Sequence, residues 1–312
     1  MTDRASFAPR DGAGALVFDD AMWLIGGWNP RDKLHFPRVC SNDVWRSTDG
    51  RDWSPVKPNT YLDDTFDTKQ DWAGRHTGGY AVHDRRMWLI GGDANQGYHQ
   101  GDVWSSANGR DWHCVLEEAP WAPRVLHGAA AWMSRLWVWG GQTMPGFAGG
   151  KDRFYDDVWV SADGSDWTRL ASQKPRWAPR GMVGGCVEFR DRLWILGGGT
   201  YETPDTPDRT FHNDVWSSFD GVHWQCHSQI APWTPRQYHG TAVFDDRMWV
   251  LAGWNGVNLN DVWYSIDGTD WFEVPDTPWP ARHAASVFVY RDALWIVAGS
   301  HMASDVWKLE RV

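Results

Sequence analysis

The sequence predicts an all-β fold, a six-bladed β-propeller of four-stranded blades, and three observations carry that expectation. One motif recurs six times, each copy reads as four short strands divided by turn residues, and tryptophan returns at fixed places within it. The clearest copies are APRVLHGAAAWMSRLWVWGG from Ala122 and TPRQYHGTAVFDDRMWVLAG from Thr234; weaker ones start near Ala8, Gly74, Ala178 and Ala281. The arginines that anchor them, Arg10, Arg75, Arg124, Arg180, Arg236 and Arg282, stand 46 to 65 residues apart, about one blade each. The 312 residues are therefore read as one domain over 1–312, a length that closed all-β folds hold undivided.

Within each copy, strand a follows the arginine and alternates small and apolar residues, as in Gly14–Phe18, Gly79–His83 and Ser286–Tyr290. A turn marked by pairs such as Asp19-Asp20, Asp84-Arg85 and Asp245-Asp246 leads to strand b, which begins Met-Trp or Leu-Trp and ends at Gly-Gly or Ala-Gly. After a loop of variable length, strand c carries Asp-Val-Trp at Trp45, Trp104, Trp159, Trp216, Trp263 and Trp307. A tight turn then uses Asp49-Gly50, Asn108-Gly109, Asp163-Gly164, Asp220-Gly221 or Asp267-Gly268, residues that tolerate positive φ. Strand d opens on Trp53, Trp112, Trp167, Trp224 or Trp271. The sixth copy lacks strand d, and Thr2–Phe7 stands where such a strand is needed, so the N-terminal segment is expected to close the ring by joining the last blade.

The repeat explains most of the 26 tryptophans: strands b and c take one per copy, strand d opens on another, and Trp72, Trp121, Trp177, Trp233 and Trp279 precede the arginines. Both faces of a blade pack on neighbours, and large flat side chains fill the wedges between them. Trp28, Trp132, Trp139 and Trp254 fall outside the pattern; of these, Trp28 and Trp254, just past the strand b glycines, lie where a ligand is met.

A formal net charge of -10 argues against nucleic acid and anionic membrane as partners, which need a basic footprint. No apolar run reaches the length of a membrane span, and the first residues lack the layout of a signal peptide, so a cytoplasmic protein is expected. Cys114 and Cys226 hold equivalent places two repeats apart, too distant to pair, and the cysteines read as reduced thiols.

The arginine at the head of strand a, the paired glycines and the Trp at the head of strand d resemble the kelch superfamily from about Arg10 to Leu309. That family includes the galactose oxidase propeller, sialic-acid mutarotases, nitrile-specifier proteins and protein-binding adaptors, and fold does not choose among them. The resemblance implies that function sits on the face shared by the arginine-bearing loops and the b-to-c loops. Arg236-Gln237-Tyr238-His239 is similar to the Arg-x-Tyr-His element of galactose oxidase. The matching second places, Gly12, Thr77, Leu126, Met182 and Ala284, offer no second tyrosine, so a radical-copper oxidase is not expected.

On that face the first positions after the arginines are Asp11, His76, Val125, Gly181, Gln237 and His283. The candidate ligand-binding residues are Asp11, Trp28, Asn29, Arg75, Asp93, Arg236, Tyr238, Trp254, Asn255, Arg282 and His301, with an arginine clamping an acidic group and Trp28 or Trp254 stacking. An arginine in every blade is read first as structural, paired with the Asp before Val-Trp. His76 and His283 are the candidate proton carriers, since imidazole titrates near neutral pH. His127 and His239, third after their arginines, are read first as packing residues; with His76 and His283 they are also the candidate ligands for a divalent metal ion. Long loops at 28–41, 57–70, 142–156 and 199–213 should wall one side of the face. Two readings follow. One is a site for a polar or anionic small molecule, carbohydrate-like, with acid/base isomerase or lyase chemistry of the mutarotase type, or a metal-dependent enzyme with a histidine-containing centre. The other is a non-catalytic propeller that binds protein.

Overall fold

The computed structural model describes residues 1–94, 98–143, 153–174, 176–181, 186–202 and 208–311. Six antiparallel sheets follow one another along the chain, five with four strands in the order a-b-c-d and the last with three. Blade one comprises Gly14–Phe18, Ala21–Trp28, Cys40–Ser47 and Ser54–Lys57; blade six comprises Ser286–Tyr290, Ala293–Val297 and Val306–Glu310. Blade three carries an added ribbon, Gln142–Thr143 paired with Arg153–Phe154.

Turn chemistry sets the strand pairing. Both residues of every a-to-b turn have positive φ, from Asp19 and Asp20 in blade one to Arg291 and Asp292 in blade six, the geometry whose twist matches a two-residue hairpin. The c-to-d turns are stitched by side chains: in each of five blades a serine hydroxyl (Ser47, Ser106, Ser161, Ser218, Ser265) accepts the turn glycine's N–H at 2.8 Å. Asp49 Oδ1 likewise accepts two backbone N–H groups, from Arg51 and Asp52, and the Trp53 indole N–H donates to the Gly50 carbonyl. These are local bonds that compete successfully with the ladder and end it there.

The turn glycines also join the blades. A Cβ at Gly50, Gly109, Gly164, Gly221 or Gly268 would overlap the strand b tryptophan of the preceding blade, Trp295, Trp23, Trp88, Trp137 or Trp194 respectively. Each of those five tryptophans, and Trp249, donates its indole N–H to the carbonyl five residues earlier, which fixes the ring that the glycine admits. The Gly50 and Trp295 contact belongs to ring closure, with Phe7, Trp53, Phe288 and Tyr290 in the same core. The N-terminal segment joins the last blade as expected, but as a short bridge between Thr2 and Val306 rather than a full strand.

The repeated arginine is the knot of each blade. Arg75 donates through Nε to the Ala73 carbonyl at 2.9 Å, through NH1 to the Gly91 carbonyl at 3.1 Å, and to both carboxylate oxygens of Asp102. The same set recurs at Arg10, Arg124, Arg180, Arg236 and Arg282, facing Asp43, Asp157, Asp214, Asp261 and Asp305. In every blade the aspartate also accepts the indole N–H of the strand c tryptophan. Burial alone would raise Asp43, Asp157, Asp214, Asp261 and Asp305. The facing guanidinium, joined at Asp305 by a hydrogen bond from His301, outweighs it and holds all five below the usual carboxylate range. The candidate clamps Arg75, Arg236 and Arg282 are therefore corrected. Each is fully buried, with its donors spent inside its own blade.

Removing one partner of a buried, bidentate ion pair strands the other charge, so Arg282→Met should lower stability by about 3–5 kcal/mol. Urea unfolding followed by tryptophan emission measures this; an unchanged midpoint would show the clasp to be dispensable.

Candidate functional site

At the axis, the second residue after each arginine has positive φ: Gly12, Thr77, Leu126, Tyr238 and Ala284 among the described residues. This conformation costs non-glycine residues on the order of 1–3 kcal/mol, and a chain of backbone bonds holds it. Gly12 N–H donates to the Ala284 carbonyl, Thr77 N–H to Gly12, Leu126 N–H to Thr77, and Ala284 N–H to Tyr238, at 2.8–3.1 Å. The equivalent residue of blade four, Met182, lies outside the described residues.

Over this ring opens a funnel of about 370 Å³ lined by Asp11 and Trp28 of blade one, His76 and Thr77 of blade two, Tyr201 and Arg209 of blade four, Tyr238 and Trp254 of blade five, and His283 and Ala284 of blade six. Edge bridges place the side chains: Asp11 pairs with Trp28, His76 with Asp93, and Gln237 with Trp254. Asp11 and His76 are thereby tied to the ends of their own strands b.

The funnel is electrostatically mixed. Asp11 is 6% exposed, and burial without a compensating partner pushes its carboxyl up to about 7. Burial pushes His76 and His283 down to about 4, so both are neutral imidazoles at physiological pH. His76 stacks on Trp28 with ring centroids 6.0 Å apart, and its Nδ1 lies 3.5 Å from the Cys40 thiol. His283 Nδ1 lies 2.7 Å from Asn258 Oδ1, which makes Nδ1 the protonated nitrogen and leaves Nε2 as an acceptor. Opposite, Arg209 lies over Tyr201 at 4.4 Å and Trp254 at 4.6 Å, and donates to Glu202 at 3.0 Å.

The family model described as the KLHDC2/KLHL20/DRC7 Kelch-repeats domain matches residues 126–311, more than half of the chain. The chain belongs to the kelch-repeat family. A leucine-zipper-like transcriptional regulator 1 homolog from Drosophila melanogaster is 29% identical over 159 residues, which is 49% of this kelch chain and 15% of the relative. The chain thus spans a minor part of that relative's length. Among the described residues no helix is long and apolar enough to cross a membrane.

Of the sequence candidates, the kelch fold brings Asp11, Trp28, His76, Tyr238, Trp254 and His283 together at the funnel. Several others are corrected. His301 is bonded to Asp305 at 2.9 Å and belongs to the clasp of blade six. Asn29 accepts the Arg31 N–H and lines a separate side cavity of blade one, while Asn255 makes a turn with Val257. Asp93 Oδ1 accepts the Tyr98 N–H. His127 and His239 are buried between blades, with Nε2 on the carbonyls of Ile90 and Leu196, and burial pushes both down to about 3. Both imidazoles thus pack between blades, and among the described residues no three His, Cys, Asp or Glu side chains converge. The near-neutral group of the funnel is Asp11, not a histidine, because burial lowers an imidazole and raises a carboxyl. Sequence reasoning missed Arg209, although an arginine within the long 199–213 loop was the available signal. Parts of the long loops, residues 144–152 and 203–207, lie outside the described residues.

A carboxyl whose folded-state value is raised destabilises the fold as pH climbs from its ordinary value near 4 through 7. Asp11→Asn should therefore stabilise the propeller above pH 7 by on the order of 2–4 kcal/mol, a gap that closes towards pH 4. Denaturant midpoints of both proteins across that range measure it; a gap independent of pH would contradict the burial of an unpaired carboxyl.

Proposed function

We propose that this kelch propeller is a protein-recognition module that takes a segment of a partner on its loop face, with one projecting group entering the funnel. The observation that carries this reading is an apolar shoulder outside the funnel. Leu34 and Phe36, in the b-to-c loop of blade one, are 86% and 72% exposed, and Leu62 on the following connection and Tyr98 of blade two are exposed as well. A small ligand held within the funnel has no use for these side chains, whereas apolar anchors beside a shaped pocket are what a peptide segment requires. The regulator named among the relatives is in keeping with such a role, as are the protein-binding adaptors of the family.

A second reading rests on Asp11. A carboxyl that titrates near neutrality, facing two neutral histidines, is suited to moving a proton on a polar small molecule, as an isomerase or lyase does. In that case sugars and sugar acids should protect the funnel, and turnover should fall by at least a hundredfold in Asp11→Asn.

The two readings separate in one experiment. Peptides selected from a displayed random library should bind the wild type, and Leu34→Ser with Phe36→Ser should weaken them by at least tenfold, each anchor contributing about 1 kcal/mol or more. Selected peptides indifferent to the double change, or no selection at all, would set the protein reading aside.

A further inference from the structure

Asp11 differs from the six aspartates of the clasps. Each of those is met by a guanidinium and an indole N–H, whereas no hydrogen bond from a described residue reaches the Asp11 carboxylate, although only 6% of the residue is exposed. Its backbone N–H and carbonyl are spent on Trp28. A buried anion without a partner is costly, and this one lines an open funnel rather than a closed core. Of the aromatic rings that line the funnel, Trp28 and Tyr238 offer faces that attract cations, while Trp254 is already covered by Arg209.

The ring of blades fixes the other charges. Blade four stands across the axis from blade one, and Arg209 on its long loop lines the same funnel, its guanidinium already placed over Tyr201 and Trp254 and bonded to Glu202. On the near side are His76 and His283, neutral and without charge to repel a cation. His283 lines the same funnel with Nε2 left as an acceptor, and together with two carboxylate oxygens that is a number of acceptors that suits the three donors of an ammonium group. A planar guanidinium fits this side poorly, since Arg209 already covers the opposite aromatic faces.

We infer that the funnel receives a primary ammonium group, the side chain of a lysine in the partner segment, on Asp11. This rests on the loop face being a protein-recognition surface. The lysine enters past Trp28 and His76, its stem lies against the rings, and its nitrogen donates to Asp11 and His283 Nε2. Arg209 rejects a second cation and limits the site to one.

The test titrates Nα-acetyl-lysine methylamide into the protein, followed by tryptophan emission, beside the norleucine and glutamate analogues. At pH 8 the lysine analogue should bind at least tenfold tighter than norleucine, and Asp11→Asn should erase that advantage. The variant is expected to fold, being the more stable protein. The charged and titratable groups facing Asp11 are His76 and Asp93 of blade two, Tyr201 and Arg209 of blade four, Tyr238 of blade five and His283 of blade six. Burial keeps His76 and His283 neutral from pH 6 to 8, so affinity should fall about tenfold from pH 8 to pH 6 as the Asp11 carboxylate takes up a proton. Equal binding of lysine and norleucine analogues, or a preference for glutamate that depends on Arg209, would overturn the inference. If library peptides bind through Leu34 and Phe36 while Asp11→Asn leaves them unaffected, the inference falls and the loop-face reading stands. If the lysine analogue binds through Asp11 and no peptide is selected, the protein reading falls, and with it the lysine of a partner.

Discussion

Six buried arginines hold this molecule together. Each guanidinium reaches three parts of its blade at once: the loop before strand a, a carbonyl near the end of strand b, and the aspartate before the Val-Trp of strand c. Strand b bends at that carbonyl, where its register with strand c shifts, as between Ile25 and Gly27, and residues such as Gly26 take positive φ. A bulge of this kind aims a carbonyl away from the ladder, and here the arginine is what receives it. The charge is thus consumed in building the blade, which is why a residue type that suits anion recognition supplies no ligand contact at these six places.

The site is made by what the clasp leaves over. Fixing the arginine fixes the residue after it on the funnel wall and the next one in the axial backbone ring. The ring residues face one another regardless of identity because their backbone groups bond from blade to blade. Side chains at the first position are under no such constraint, and Asp, His, Val, Gly and Gln all occur there, so chemistry varies there at little cost to the fold. Asp11, His76 and His283 occupy that position, and burial shifts all three toward their uncharged forms. The outcome is a funnel of two neutral imidazoles, a carboxyl that titrates near 7 and aromatic faces, with one lining arginine from a long loop.

Much of this was legible in the amino-acid sequence, because repetition exposes constraint. The blade count, the turn residues, the structural tryptophans and the Arg and Asp partnership all follow from one motif read six times. Trp28 and Trp254 stood out by breaking the pattern, and both line the funnel. What misled was proximity along the chain. Asn29 and Asn255 sit next to funnel residues in sequence, and His301 follows strand b of blade six, yet turn bonds and the blade-six clasp take their side chains elsewhere. His76 and His283 read as titrating near neutrality because the sequence does not carry burial, the quantity that sets their charge.

The sequence by itself determined the propeller, since hairpin turns, alternating strands and a repeated buried ion pair are local patterns that allow one closed arrangement. Only the tertiary structure decided the site. Asp11 near the start of the chain, His283 near its end and Arg209 between them meet because ring closure brings blade six against blade one and sets blade four across the axis. The carboxyl's displaced titration arises there too, from desolvation by residues far away in the chain.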